Sequence, residues 1–516
     1  LFLRQNKDGM LPDTIIYNGR FVSMNERGDI YSLIGIKDGK IIEVSKSNLL
    51  DDKLGFGVNI INLEGKTVLP GFYDCNVHAV QNGIGHYCIK IETKKREEFL
   101  KRLQKTVKEY KRNQLIWCIG FNWEEKERLN RWDLDKISSL HPIVVSKDEI
   151  HSTIVNTYAY NLLAIPSTLN GVEKDEKGMP TGYLFGEASG FARKKIQKLF
   201  INYKMKEQAM KMTVEEALRN GVTTMNAMEG GAFFDDEDID IVQRYEKKNK
   251  IDLSIYAQNT DIEKAVEFGL EKIGGNFYLD GTISSKTAAL YEPYENELGN
   301  YGILYFTQEE LNRFVLDAHK KNMQIALSCI GERAIDQALE AYENAIKIYG
   351  RKNHRHRLEH FVLPNDEQIK RAVQLGLIFS MQPGYDNKWG GKNGKYIKNI
   401  GERYKRANPI GKIIKFGGVV VGGSESNITP LSPIYGIYSA INHTEEENRI
   451  NIDEAIKIYT VNAAYANFEE KRKGKIERGF DADLVVLDRD IFTIKKEQIK
   501  DVKILKTIKY GELVYG

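Results

Sequence analysis

The chain has 516 residues, enough for about three domains at the usual ~150 residues each, or for one large barrel with an appendage. Its 75 Lys and Arg against 72 Asp and Glu leave a formal charge of +3, too balanced for a protein that lives on polyanions, which argues against a nucleic-acid partner. Cys75, Cys88, Cys118 and Cys329 form no Cys-x-x-Cys pair; this argues against a zinc ribbon or disulfide scaffold and fits free thiols in a reducing cytoplasm.

In chain order, residues 13–69 read as short strands, Thr14 to Tyr17, Ser32 to Ile36, Lys40 to Val44 and Thr67 to Leu69, separated by Asn-Gly and Asp-Gly pairs that favour tight hairpin turns. The middle of the chain changes texture. Apolar runs at Pro142 to Ser146, Gln324 to Ser328, Ile378 to Met381 and Val419 to Gly422 alternate with helical segments such as Lys206 to Asn220 and Ala334 to Tyr349. Strands separated by helices over about 350 residues imply a parallel sheet, most commonly closed into a (β/α)8 barrel. The last 40 residues or so return to the first texture, with Ala482 to Leu487, Val502 to Leu505, Thr507 to Tyr510 and Leu513 to Tyr515, so both ends are expected to share one sheet. No apolar run approaches the ~18 residues of a membrane span and no basic-then-apolar leader is visible, so the expectation is a cytoplasmic protein without a membrane partner.

The barrel reading directs attention to strand ends. Period-2 spacing places Asn76 and His78 on one face of a strand. Turn signals end other strands at Asp280-Gly281, at Ser328 to Glu332, at Arg357-Leu-Glu359-His360 and at Gly422 to Glu425. Five polar ends at a barrel mouth read as a pocket for a small-molecule substrate or ligand. Asp280 has the alternative role of capping the segment that follows it. Tyr291, Tyr385, Trp389 and Trp123 either line such a pocket or pack its loops, and the basic stretch from Lys388 to Arg406 reads as a solvated loop.

Across nearly its whole length the sequence resembles the amidohydrolase superfamily, and within it the YtcJ-like group related to N-substituted formamide deformylase. The resemblance is carried by Leu69-Pro-Gly-Phe-Tyr-Asp74, Ile150-His-Ser-Thr-Ile-Val-Asn156, Leu279-Asp-Gly-Thr-Ile-Ser-Ser-Lys286, Ile330-Gly-Glu-Arg-Ala334, Arg357-Leu-Glu-His360, Ser380-Met-Gln-Pro383, Gly423-Ser-Glu425 and Gly479-Phe-Asp-Ala-Asp483. It implies a distorted (β/α)8 TIM barrel (residues 70–474) inserted in a small composite β-sandwich built from both termini (residues 1–69 and 475–516), and one or two divalent metals that activate water. Matched position by position, the family's metal ligands are largely replaced. The first-strand His-x-His is Asn76-Val77-His78; a bridging lysine is matched by Asn276; the histidine before Ile-Gly-Asp is Ser328, and that Asp is Glu332. His360 survives, the catalytic Asp is Glu425, and His151 matches a pocket-facing histidine.

The resemblance therefore implies a hydrolase of a non-peptide C–N bond, amide or formamide, with Glu425 as base beside His360 and His78. Its cofactor is either none or one weakly bound divalent metal, zinc or iron, held by His78, His360 and Glu425. The alternatives are a metal-free lyase, cyclase or isomerase in the same pocket, or a non-catalytic ligand-binding relative. A homodimer is the expected assembly by the same resemblance.

Overall fold

A computed structural model of the protein describes residues 11–48, 57–147, 152–231, 234–247 and 250–516. These divide into two compact units. One is built from the described residues of Leu1–His78, Val214–Glu229 and Val242–Gly516, the other from those of Ala79–Thr213 and Gly230–Ile241.

The first unit carries eight parallel strands, β1 (Phe72–Val77), β2 (Val222–Glu229), β3 (Asp252–Ala257), β4 (Lys272–Tyr278), β5 (Gln324–Cys329), β6 (Arg357–His360), β7 (Ile378–Met381) and β8 (Val419–Gly422), hydrogen-bonded in chain order. The ring nearly closes where β8 returns to β1: the amide of Glu425 donates to the carbonyl of Asn76 (2.8 Å), and Val77 bridges Ser426. Gly423 makes that approach possible, since a Cβ there would lie 2.8 Å from both Cβ and N of Asn76. Between the strands run helices, among them α1 (Gln308–Lys320), opened by a Thr307/Glu310 capping box, α2 (Glu332–Tyr349), which has no side-chain cap of its own, and α3 (Asp366–Leu375), opened by Asn365/Gln368 and closed by left-handed Gly376.

The ends of the chain meet in one sheet of eight strands, running from Glu512–Tyr515 through Ile504–Lys509, Leu484–Leu487 and Thr67–Pro70 to Thr14–Val22, Ile30–Lys37 and Lys40–Ser45, with Asn59–Asn62 also on Thr14–Val22. Asp38-Gly39 and Tyr510-Gly511 turn two hairpins with positive φ at both positions, as primed turns require. Asn18-Gly19 makes no hairpin. It is absorbed as an irregularity within Thr14–Val22, where the register shifts between Tyr17 and Phe21. Ile16, Phe21, Ile34 and Ile41 from one end pack with Leu484, Val486 and Ile508 from the other.

The second unit has a six-stranded sheet of its own, in the order Val172–Lys174, Pro180–Phe185, Ser152–Val155, Ile143–Ser146, Ile116–Phe121, Ile89–Thr93, over a core that includes Phe99, Phe121 and Trp123. The sequence reading drew the barrel over 70–474 and counted Pro142 to Ser146 among its strands. That strand belongs to this second sheet, because a buried apolar run looks the same in either setting.

Four charges sit between the barrel and the terminal sheet. Lys473 and Lys509, both almost fully buried, each contact Asp252 at the start of β3 and Asp483 ahead of Leu484–Leu487, with Nζ to Asp483 distances of 2.6 and 2.7 Å. Burial alone would raise the Asp252 carboxyl, but the two ammonium groups bring it down to about 2. Asp483→Ala leaves two buried cations to share one carboxylate, so we expect urea unfolding to show a loss of about 3–5 kcal/mol; a loss below ~1 kcal/mol would mean the tetrad contributes little.

Candidate active site

The barrel interior is organised around Arg357 on β6, which has no solvent exposure. All five guanidinium N–H groups are used: Nε donates to Glu359 Oε1 (2.7 Å), Nη1 to Asn226 Oδ1 (2.9 Å) and the Tyr256 hydroxyl (3.0 Å), and Nη2 to the Cys75 carbonyl (2.6 Å) and Ser380 Oγ (2.7 Å). The guanidinium also lies over the Tyr256 ring. Burial disfavours the cation, yet the adjacent Glu359 carboxylate keeps Arg357 above its ordinary pKa. The other oxygen of Glu359 accepts from Asn76 Nδ2 (2.7 Å), linking β6 to β1.

Above this layer lie the strand ends. His360 closes β6 with φ +68°, and Glu425 follows β8 with φ +47°, both in the left-handed region that costs a non-glycine residue about 1–3 kcal/mol. Their side chains meet, Nε2 of His360 lying 3.4 Å from Oε1 of Glu425. Gln382 sets the ring: its Oε1 accepts from Nδ1 of His360 (2.7 Å), so Nδ1 carries a proton and the Nε2 edge is turned to the carboxylate. Tyr385 stacks on a face of the imidazole, with centroids 5.8 Å apart, and Trp389 packs on Tyr385. His78 follows β1 and donates from Nδ1 to the Met228 carbonyl of β2 (2.9 Å).

The remaining sequence candidates fall into different surroundings. Ser328 stands in register with Glu359, and Glu359 with Ser380, so the three share one level of β5, β6 and β7; the buried Ser328 Oγ and Asn76 Oδ1 have no hydrogen-bond partner among the described residues. Asp280 is buried and collects three backbone amides, Ala289 (2.8 Å), Ile330 (3.0 Å) and Gly331 (2.8 Å). It thus ties the loop after β4 to the start of α2; the segment just after it is held instead by Gly281 N to Thr287 O. Burial pushes the Asp280 carboxyl up to about 7 against the pull of those amides. Glu332, the first residue of α2, pairs with Arg406 (2.8 Å). Arg403 is likewise engaged, donating to the Glu292 and Pro293 carbonyls, so this part of the basic stretch has structural partners. His151 and the side chain of Asn276 lie outside the described residues. Trp123 belongs to the core of the second unit, and Tyr291 is exposed with its hydroxyl on Asp336.

Sequence reasoning weighed His360 in Arg357-Leu-Glu359-His360 and passed over its two neighbours. The available signal was a pair of opposite charges two residues apart, hence on one face of a strand. Gln382 and Asp74 were quoted only as motif residues. Asp74 is buried, accepts from the amides of Asn76 and Ser424, and is raised by burial to about 6.

A profile of the amidohydrolase family matches residues 59–515. Among curated proteins, YtcJ of Bacillus subtilis is 29% identical over 97% of this chain and 99% of its own length. N-substituted formamide deformylase of Arthrobacter pascens is 21% identical over 98% of each chain. Among solved structures, an uncharacterized metal-dependent hydrolase of Pyrococcus horikoshii superposes with a TM-score of 0.76 at 23% identity, covering 94% of this chain and 99% of its own.

Because Arg357 and Glu359 neutralise each other in a closed interior, removing one strands the other. Arg357→Met is expected to cost at least 3 to 5 kcal/mol in urea unfolding, and adding Glu359→Gln to recover a measurable part of it. Additive losses in the double variant would refute the coupling.

Proposed function

The chain belongs to the amidohydrolase family, and on that premise we propose that it hydrolyses a non-peptide C–N bond of amide or formamide type in a small molecule, by proton transfer between Glu425 and His360, with most of the metal-ligand positions replaced. The observation that carries this reading is the His360–Glu425 contact of 3.4 Å at the strand ends, held by Gln382 and by the Glu425 amide on Asn76. In the proposed step the Glu425 carboxylate takes a proton from water as the water oxygen bonds to the substrate carbonyl carbon. His360 in its protonated form gives a proton to the departing nitrogen as the C–N bond breaks, and Glu425 passes its proton on to the imidazole, which restores the pair.

The donor set does not fit the two-metal centre that the family resemblance implies. Among the described residues no group of three or more His, Cys, Asp or Glu is placed to hold a metal ion. Asn76 turns an N–H toward Glu359, and an amide N–H is not a ligand. Neutral Asn and Ser oxygens also hold zinc poorly. No step is therefore routed through a metal. The reading includes a reducing, cytoplasmic setting, supported by four free cysteines of which three are buried.

Two measurements test it. Elemental analysis of protein purified without added metal is expected to give well under one equivalent of zinc, iron or manganese per chain, and two tightly bound ions would overturn the reading. Against a panel of N-formyl and amide compounds, Glu425→Gln is expected to lower turnover by about 10²- to 10⁴-fold with the fold unchanged, since it removes a charge and almost no volume. Equal turnover in parent and variant rejects Glu425 as base, and conversion without hydrolysis products favours a lyase, cyclase or isomerase.

A further inference from the structure

We propose that three histidines at the base of the barrel, His319, His354 and His356, form an acid-sensitive catch that holds the beginnings of β5 and β6 only while all three rings are neutral. The inference stands apart from the strand ends and does not depend on the reaction assigned to them.

Backbone partners determine where each proton sits. An amide can only donate, so the Ile325 amide on His356 Nδ1 (3.1 Å) and the His356 amide on His354 Nδ1 (2.9 Å) require both nitrogens to be bare. A carbonyl can only accept, so His354 Nε2 on the Leu375 carbonyl (3.1 Å) and His319 Nε2 on the Gly350 carbonyl (3.1 Å) must carry protons. His356 then has its proton on Nε2 and donates it to His319 Nδ1 at 2.8 Å. Every ring nitrogen is used, and each ring is the neutral Nε2–H form. An added proton on any ring must displace one of these bonds, because it sets two donors against each other.

The catch spans the end of α1 (His319), the start of β5 (Ile325), the segment before β6, and the end of α3 (Leu375), while the His356 carbonyl accepts from Ile378 at the start of β7 (2.8 Å). The Tyr342 ring of α2 stacks on His356, and His356 on His354. Lys352, whose Nζ donates to the His319 carbonyl (2.8 Å), and Arg351 are the cations acting on the rings; Arg355 is engaged by Glu470. Burial first, and these cations with it, oppose protonation: His319 is lowered, His354 is brought down to about 4, and His356 lies well below its ordinary value. An unfolded histidine titrates near ~6.5, so between that pH and the lowered values the unfolded chain binds more protons and stability falls as pH falls.

Full-length protein labelled with ¹⁵N in histidine, followed by two-bond N–H correlation spectra from about pH 8 to about pH 4, provides the test, with assignments from single variants. Three rings are expected in the Nε2–H form, none titrating while the fold is intact, so that their protonation coincides with loss of native tryptophan fluorescence. A cluster ring in the Nδ1–H form, or one titrating at about pH 6 to 7 with the fold intact, would overturn the proposal. His319→Gln is the companion: its Oε1 can accept from His356 and its Nε2 can donate to Gly350, so the relay survives with one ring fewer to titrate. Acid unfolding of that variant should take up about one proton fewer than the parent, and an unchanged proton count would count against the catch.

Discussion

A guanidinium placed inside a barrel must find a partner for each of its five N–H groups, and in this protein that requirement ties the strands together. Arg357 on β6 reaches the Cys75 carbonyl of β1, Asn226 of β2, Tyr256 of β3 and Ser380 of β7, and keeps its last donor for Glu359 on its own strand. Tyr256 extends the network to Gln324 of β5. A buried ion pair of this kind is weak evidence for net stability. It does impose register, because a strand displaced by one residue would turn its contributing side chain out of the interior and leave a buried donor unpaired.

The candidate site inherits its geometry from that layer. Glu359 accepts from Asn76, the Asn76 carbonyl accepts from the Glu425 amide, and Glu425 faces His360, which follows Glu359 in sequence. The circuit runs across the seam where β8 meets β1, so closure of the barrel and alignment of Glu425 with His360 depend on the same contacts. Asp280 braces the neighbouring edge by binding the amides that begin α2.

The base of the barrel is organised on a different principle. At the mouth, charges are paired or carry positions that can exchange protons. At the base, three rings are satisfied only in their neutral form. Both regions are buried, and burial has opposite effects on the two kinds of group: it raises Asp280 and Asp74 and lowers His354 and His356.

Much of the architecture was already determined by the sequence. Alternating apolar runs and helices dictated a parallel sheet, and matching textures at the two ends dictated a shared sheet, because these properties follow from local periodicity. The tertiary structure decided what periodicity cannot reach. Residues 273–277 of β4 stand opposite only 325–327 of β5, with Gly274 and Gly275 at positive φ, so the alternation that would place Asn276 is broken there. The strand Ile143–Ser146 joins the second sheet and not the barrel. The roles of Arg357, Glu359 and Gln382 and the three-histidine relay rest mainly on partners 21 to 283 residues away, and chain closure alone brings such groups together.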